Sequence, residues 1–588
     1  MTCQVRRLCL GSARKGRDFL GIEATPLALI PIGGYTWGIM TYLAVPISAE
    51  SLDRASRQIR EAISAGAEML ELRTDYLDRL GRDSAAALIA EARNSIPTPV
   101  PVIVTCRDPR EGGAGHHPQS LRIEILLAAI GAGADFIDLE FANFTQSEIG
   151  QRTKSALARR PKSRLILSAH DFQGKFADTR RLHRDIRQAC PDAIAKLVYT
   201  ANHINDCFDA FDLLHETQGD RIVLCMGQAG LISRILAKKL GSLVTFASLN
   251  EQAATAPGQV TAGALKGLYR YDSINAETEL FGVIADPVAH SLSPAIHNAC
   301  FADQGMNRLY LPLLVQGGQL EFNQFLDNVL ARPWLDFRGF SVTIPHKHSA
   351  LKYVHEKGGF VEPLADKIGA ANTLIVAPPA WRGRPALGKQ GQDGLATHGL
   401  EALATAAGPH HLAAYNTDYA GALDAITAGM GIERKGLRDT PVAVIGAGGV
   451  SRAIVAGLRD AGAKVTIYNR TVERAEELAT EFGCGFAGLD KLCQMDAKLL
   501  INCTSIGMHP HVDATPVPAE YLTPDMVVFD TVYNPAETLL LKQAKQKGAK
   551  TIDGLAMFVN QAAAQFRLFT GESADTDLMR KVVLENLR

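Results

Sequence analysis

Eight short apolar runs recur between residues 42 and 248, each followed by a longer amphipathic stretch, and this alternation constrains the fold more than any other feature. The runs are YLAVPIS (42–48), EMLELRTD (68–75), PVIVTCR (101–107), DFIDLE (135–140), RLILSAHDF (164–172), IAKLVYT (194–200), RIVLCMG (221–227) and SLVTFAS (242–248). The segments between them, about 15–25 residues each, are too long for hairpins and suit helical crossovers between parallel strands. Eight such units in about 225 residues predict a (β/α)8 barrel. Barrels of this kind carry their chemistry at the C-terminal strand ends. Polar residues gather at those ends here: Glu71, Arg73, Arg107, Glu140, His170 and Lys196. Glu71 and Arg73 are two apart and share one strand face.

Lys196 stands inside its strand, flanked by Ile194, Ala195, Leu197 and Val198. A lysine in such a strand must be paired or neutral, because a lone buried ammonium is costly to desolvate. Two readings stand side by side. Lys196 is either a nucleophile poised to form an imine, or a structural lysine paired with Glu140 or Glu71.

The pattern changes near residue 270. ELFGVIAD (279–286) reads as a strand, and Ser293-Pro294 as an N-cap and helix start. GFSVTIPHK (339–347) reads as a strand ending in a lysine. TPVAVIGAGGVSRAIVAGLRDAG (440–462) is strand, glycine turn and amphipathic helix, followed by the strand KVTIYNR (464–470). That is the opening of a Rossmann fold, with Gly446 for the tight turn and Gly448 for close approach of a pyrophosphate. Ser451 stands where the third glycine of the fingerprint is expected. A carboxylate at the end of the second strand would suit NAD. The chain instead has Asn469-Arg470-Thr471 with Arg474 close behind, which suits the 2′-phosphate of NADP(H).

Composition narrows the rest. The 588 residues, 47% hydrophobic and 21% charged, suit a core-forming α/β protein of about four domains, or fewer with a large barrel. Lys+Arg at 61 against Asp+Glu at 62 leaves a net charge of −1, with no electrostatic footprint for nucleic acid or an anionic membrane. Ten scattered cysteines include no C-x-x-C pair and no disulfide framework. The neighbouring histidines lack a third ligand, so no metal is expected. Residues 1–40 begin basic and turn uncharged, like a targeting segment, but Pro26, Pro31, Gly33 and Gly34 break any span. They read as a leader: disordered, a transit peptide, or a stretch upstream of a start at Met40. The expected location is cytoplasmic, or plastid if the leader is a transit peptide.

These motifs resemble two enzyme families laid end to end. Residues 42 to about 270 resemble type I 3-dehydroquinate dehydratase, through Glu71-Leu72-Arg73, Cys106-Arg107, Ser168-Ala169-His170-Asp171, Lys196, the Ser-Arg pair ending at Arg234, and APGQ ending at Gln259. About 278 to 588 resemble shikimate dehydrogenase, through Ser291-Leu292-Ser293, SVTIPHK, AANT and NTD. The resemblance implies an α/β chain: an N-terminal (β/α)8 TIM barrel followed by a two-lobed α/β dehydrogenase with a Rossmann NADP-binding domain. The expected divisions are 1–40, 41–270, 278–417 completed by 554–588, and 418–553.

The resemblance also implies roles. Lys196 would form an imine with the C3 ketone of 3-dehydroquinate, and His170 would move protons at C2 and at the C1 hydroxyl, as its ordinary pKa permits. Glu71, Arg73, Arg107, Arg234, Thr255 and Gln259 would hold that substrate. Thr255 stands where the family commonly has serine. In the second half, Lys347 and Asp418 would be the catalytic pair, with Ser291, Ser293, Thr343, Asn372, Tyr533 and Gln561 contacting 3-dehydroshikimate or shikimate. Gly446, Ala447, Gly448, Gly449, Asn469, Arg470, Thr471, Arg474, Thr504, Thr531, Gly554 and Met557 would hold NADP, with no metal and no pyridoxal phosphate. Two departures stand out: Tyr419 follows Asp418 where glycine is common, and a Gly-, Pro- and His-rich stretch near 377–413 reads as a surface insertion. Competing readings are a quinate-preferring, NAD-linked dehydrogenase and a metabolite sensor with dead sites. The presence of Lys196, His170, Lys347 and Asp418 argues against the sensor. Oligomeric state is encoded in no motif.

Overall fold

The computed structural model describes residues 41–95, 99–377 and 411–587. The leader and residues 378–410 of the expected insertion lie outside them.

The eight apolar runs form eight parallel strands: β1 Tyr42–Ile47, β2 Met69–Arg73, β3 Val102–Thr105, β4 Phe136–Glu140, β5 Arg164–Asp171, β6 Ile194–Thr200, β7 Arg221–Met226 and β8 Val244–Phe246. Within β1 to β7 each strand pairs with its neighbour in sequence, and β8 pairs with β1. The seam between β7 and β8 is bridged by Leu243 N–H to Arg221 O at 2.8 Å. This is the barrel that the alternation predicts.

The interior is layered by the two-residue period of the strands. Met69, Ile103, Phe136, Ile166, Ile194 and Ile222 form an apolar floor with Ala44 and Val244. Two residues further along the strands, the inward positions become Glu71, Thr105, Asp138, Ser168 and Lys196. Two further still stand Arg73, Arg107, Glu140, His170 and Val198. A greasy plug thus supports a polar layer at the C-terminal end of the barrel.

The second half holds two sheets. In the first, β9 Glu279–Ala285, β10 Arg308–Leu314, β11 Phe337–Val342, β12 Phe360–Val361, β13 Thr373–Ala377 and β14 His411–Tyr415 are ordered β10-β9-β11-β13-β14-β12. β13 runs antiparallel to both neighbours. In the second, β15 Pro441–Ile445, β16 Lys464–Asn469, β17 Gly485–Gly488, β18 Leu499–Asn502, β19 Val527–Asp530 and β20 Lys550–Ile552 are all parallel, in the order β17-β16-β15-β18-β19-β20. That is the doubly wound 3-2-1-4-5-6 order, with its switch point between β15 and β18.

Three sequence expectations need correction. β11 stops at Val342, and Lys347 opens the helix Lys347–Glu356, because the intervening Pro345 cannot donate to a strand ladder. Leu292, not Ser293, caps the helix Ser293–Asp303, placing Pro294 within the first turn. Residues 411–413, assigned to the surface insertion, belong to β14 and pair with β13.

The first lobe is fastened along one flank of the barrel. Helix Gln319–Leu330 lies beside the barrel helix Cys207–Glu216, with Phe325 against Phe208 at 6.0 Å between ring centroids. Arg332 donates to both carboxylate oxygens of Asp212 at 2.6 and 2.7 Å, and its guanidinium lies over the Phe208 ring. Trp334 stacks on His215 at 3.9 Å, and His203 Nε2 lies 3.0 Å from Gln316 O. Asn328 Nδ2 also lies 3.4 Å from Asn205 Oδ1, just ahead of the barrel helix.

Candidate active sites

All eight residues assigned to the barrel site line one small cavity: Lys196, His170, Glu71, Arg73, Arg107, Arg234, Thr255 and Gln259. Lys196 Nζ donates to Asp138 Oδ2 at 2.7 Å and lies 3.6 Å from Glu71 Oε1 and 4.4 Å from the Phe246 ring centre. Of the two partners that the sequence suggested, Glu71 is near and Glu140 is not. Glu140 instead accepts from Arg107, Asn143 and the Asp108 N–H. Asp138 was missed, although it stands in the same inward register as Glu71 and Lys196. Burial alone would raise its pKa, but Arg107 and Lys196 hold the carboxyl well below the usual range.

His170 is similarly embedded. Its Nδ1 lies 3.0 Å from Glu111 Oε2, which also accepts the His170 backbone N–H at 3.1 Å. Burial first, then the charges of Arg107 and Lys196, push the imidazole well below its ordinary pKa of 6.5 and favour the basic form. Glu111, a second residue that sequence reasoning missed, is pushed up to about 7, mainly by burial. Arg234 is 2% exposed, and burial pushes it down to about 10. Its Nε has no hydrogen-bond partner, and Nη1 reaches only Phe246 O at 3.5 Å. A buried guanidinium so poorly satisfied, facing a cavity, suits an anionic ligand. Gln259 Oε1 accepts the Thr255 N–H at 2.8 Å, which closes the loop beside it.

In the second half, Lys347 Nζ donates to Asp418 Oδ2 at 2.6 Å. Asp418 lies in the first turn of the helix Thr417–Met430, capped by the Asn416 side chain. Asn372 fastens the same turn, since its Oδ1 accepts the Thr417 N–H at 2.8 Å. The loops carrying Ser291 and Thr343 lie side by side, with Thr343 N–H to Ile284 O and Asp286 N–H to Ile344 O. Ser291 Oγ accepts the Ser293 N–H at 3.3 Å. Tyr533 stacks on Phe558 at 4.6 Å, and Gln561 Nε2 donates to Phe558 O, so both meet at Phe558 on the helix Gly554–Thr570 that carries Gln561. That helix meets the helix of Asp418 at Gly421, where an added Cβ would fall 2.8 Å from Gln561 N.

The predicted cofactor residues gather at the switch point of the second sheet. Gly446 has φ +108°, which favours glycine, and its Cβ position would lie 3.0 Å from Thr504 Cγ2. Gly448 and Gly449 have open space where side chains would be, at the start of the helix Gly449–Asp460. Ala447 lies between Gly446 and Gly448. Ser451 is used as a cap: its Oγ accepts the Gly448 N–H at 3.2 Å. Thr504 and Thr531 follow β18 and β19, both tied to Asn502. Gly554 sits against the carbonyls of Thr531 and Val532, and Met557 is one helical turn on. Beside this cradle Asn469 Nδ2 bonds Thr471 O, and Arg470 and Arg474 are exposed without ion-pair partners among the described residues. The cradle and the two free cations fit a dinucleotide carrying a 2′-phosphate.

Among the described residues no cluster of three or more His, Cys, Asp or Glu could hold a metal, and no helix is long and apolar enough to cross a membrane.

Comparison with known proteins agrees with both halves. Residues 43–276 match type I 3-dehydroquinase. Residues 283–374 match the shikimate dehydrogenase substrate binding domain, 431–512 match shikimate/quinate 5-dehydrogenase, and 554–584 match the shikimate 5′-dehydrogenase C-terminal domain. The chain is 34% identical over 557 residues to the chloroplastic bifunctional 3-dehydroquinate dehydratase/shikimate dehydrogenase of Arabidopsis thaliana, covering 92% of this chain and 84% of that one. A shikimate dehydrogenase (NADP(+)) of Methanosarcina barkeri is 40% identical over 53% of this chain and 99% of its own. A shikimate 5-dehydrogenase of Thermus thermophilus, solved with NADP(H) and shikimate, is 33% identical, covers 52% of this chain and 99% of its own, and has a TM-score of 0.41. The chain therefore belongs to the family of bifunctional 3-dehydroquinate dehydratase/shikimate dehydrogenases.

Proposed function

We propose that the chain catalyses two consecutive steps, 3-dehydroquinate to 3-dehydroshikimate in the barrel and 3-dehydroshikimate to shikimate in the second half, with NADPH as reductant. The divisions follow as 41–270 for the dehydratase, 278–417 with 554–588 for substrate binding in the reductase, and 418–553 for NADP. Residues 1–40 serve as a leader, and the enzyme acts in the cytoplasm, or in a plastid if that leader is a transit peptide.

The observation that carries the first step is a lysine ringed by charge on the floor of a small cavity that also holds a poorly satisfied arginine. Arg234 takes the substrate carboxylate. Lys196 Nζ attacks the C3 carbonyl and water leaves, forming an imine. His170 removes a C2 proton, and the electron pair flows into the imine to give an enamine. The C1–O bond then breaks, and the departing hydroxyl takes the proton back from His170 as water. Hydrolysis with a second water frees 3-dehydroshikimate and restores the amine. Asp138 steers Nζ, and Glu111 orients the imidazole.

In the second step, bound NADPH supplies the hydride. Lys347 Nζ delivers a proton to the C3 oxygen while Asp418 holds the ammonium in place. Ser291 and Ser293 receive the substrate carboxylate, Thr343, Asn372, Tyr533 and Gln561 receive its hydroxyls, and Arg470 and Arg474 receive the 2′-phosphate.

Borohydride added during turnover of 3-dehydroquinate should fix a ligand-sized mass on the peptide containing Lys196, and none in Lys196→Ala. That variant should lose at least about 1,000-fold in dehydration while still reducing supplied 3-dehydroshikimate with NADPH in preference to NADH. Trapping at another lysine would remove the first step as written, and equal use of NADH would remove the 2′-phosphate reading.

A further inference from the structure

We infer that Glu362 and Tyr419 are positioning residues for the Lys347–Asp418 pair. This rests on the proposal that the pair moves the proton in the reductase step. Tyr419 is the residue that stands where glycine is common in the resembled family. Its side chain is not a passive replacement: it is 6% exposed, and its hydroxyl donates to Glu362 Oε1 at 2.7 Å. The other oxygen, Glu362 Oε2, accepts the Asn416 N–H at 3.0 Å. One carboxylate therefore grips the chain on both sides of Asp418.

Glu362 has no other visible employment. No lysine or arginine pairs with it among the described residues, and burial raises its pKa without a cation to oppose the shift. The groups facing it are the hydroxyls of Tyr415 and Tyr419 and the Asn416 amide. Space has been made for the tyrosine as well. At Gly457, in the helix packed on this turn, an added Cβ would fall 3.3 Å from Tyr419 Cβ. Asn372 holds Thr417 independently, so removing Glu362 leaves the helix start in place. What it releases is the exact setting of the Asp418 carboxylate, on which the 2.6 Å contact to Lys347 Nζ depends. Small errors of placement at reacting groups are costly in rate.

The test is steady-state oxidation of shikimate with NADP by the full chain, with dehydration of 3-dehydroquinate measured on each preparation as the folding control. Glu362→Ala should lower kcat about ten-fold, leave the KM for shikimate within about two-fold, and spare dehydration. Tyr419→Phe should move kcat in the same direction. Glu362→Gln should return to within about two-fold of wild type, because its amide oxygen can accept from Asn416 while its NH2 donates to the tyrosine oxygen. Asp418→Asn is the companion variant. If it is inactive while Glu362→Ala keeps wild-type kcat, the positioning role is wrong and the catalytic pair stands. A Glu362→Ala effect confined to KM, or a Gln variant no better than Ala, also overturns it. If Asp418→Asn keeps wild-type kcat, the catalytic pair itself is wrong and this inference goes with it.

Discussion

At the scale of single residues, the barrel site is governed by what Glu111 does to His170. With Glu111 ionised, Nδ1–H of His170 donates to it and Nε2 is left as the base. When Glu111 takes a proton, its O–H donates to Nδ1, the hydrogen moves to Nε2, and the base is lost. Since Glu111 is pushed up to about 7, dehydration should rise as pH increases through that region. In Glu111→Gln the amide oxygen still accepts from Nδ1–H but no longer titrates. The acid-side fall in kcat should therefore move down by about one unit or more. A profile of kcat against pH checks this, and an unmoved limb would assign the titration to another group. Glu111 also shows what the sequence hides at this scale. Lys196 is visible because a charge inside an apolar strand is conspicuous. Its partner Asp138 lies 58 residues away, Glu111 lies 59 from His170, and Glu362 lies 57 from Tyr419. Such pairs meet only when neighbouring strands or loops are brought into register, and a single chain read in order carries no record of that.

At the scale of elements, the legible and the hidden divide differently. The eight barrel runs fall within a residue or two of the observed strands because period-two burial and crossover length both act locally. The loop before Lys347 was misread as strand because SVTI is β-prone, and only Pro345 marks the stop. How closely two helices approach is not local at all. Gly421 lets the helix of Asp418 rest directly on the backbone of Met557 and Gln561, where an added Cβ would lie 2.9 and 2.8 Å from their main-chain atoms. Backbone cannot rotate aside as a side chain can, so Gly421→Ala must pry the helices apart. It should cost about 1–3 kcal/mol in urea unfolding and weaken reduction more than dehydration, because Asp418 and Gln561 ride on the two helices. An unfolding curve superimposable on wild type would mean that this helix pair has slack.

At the scale of the whole molecule, the barrel and the first dehydrogenase lobe are fastened by a bidentate ion pair and two aromatic contacts along one flank. The side chains of Arg332 and Asp212 are 17% and 16% exposed, so the pair is only partly screened by water. Arg332→Ala leaves Asp212 without that partner and uncovers the Phe208 ring. It should lower stability by about 2 kcal/mol, between the values usual for exposed and buried pairs. The stretch joining the halves should become a site of limited proteolysis, while both activities persist at room temperature. Unchanged cleavage and an unchanged unfolding midpoint would show that the flank contact carries no load.

That seam has a consequence for metabolism as well as for stability. Two catalysts joined in one chain and along one flank are always present in equal number, at any level of expression. A cell with separate enzymes can correct a slow step by making more of one protein. Here the relative capacity of the two steps is set only by their turnover numbers, so selection to rebalance flux has to act on the active sites themselves.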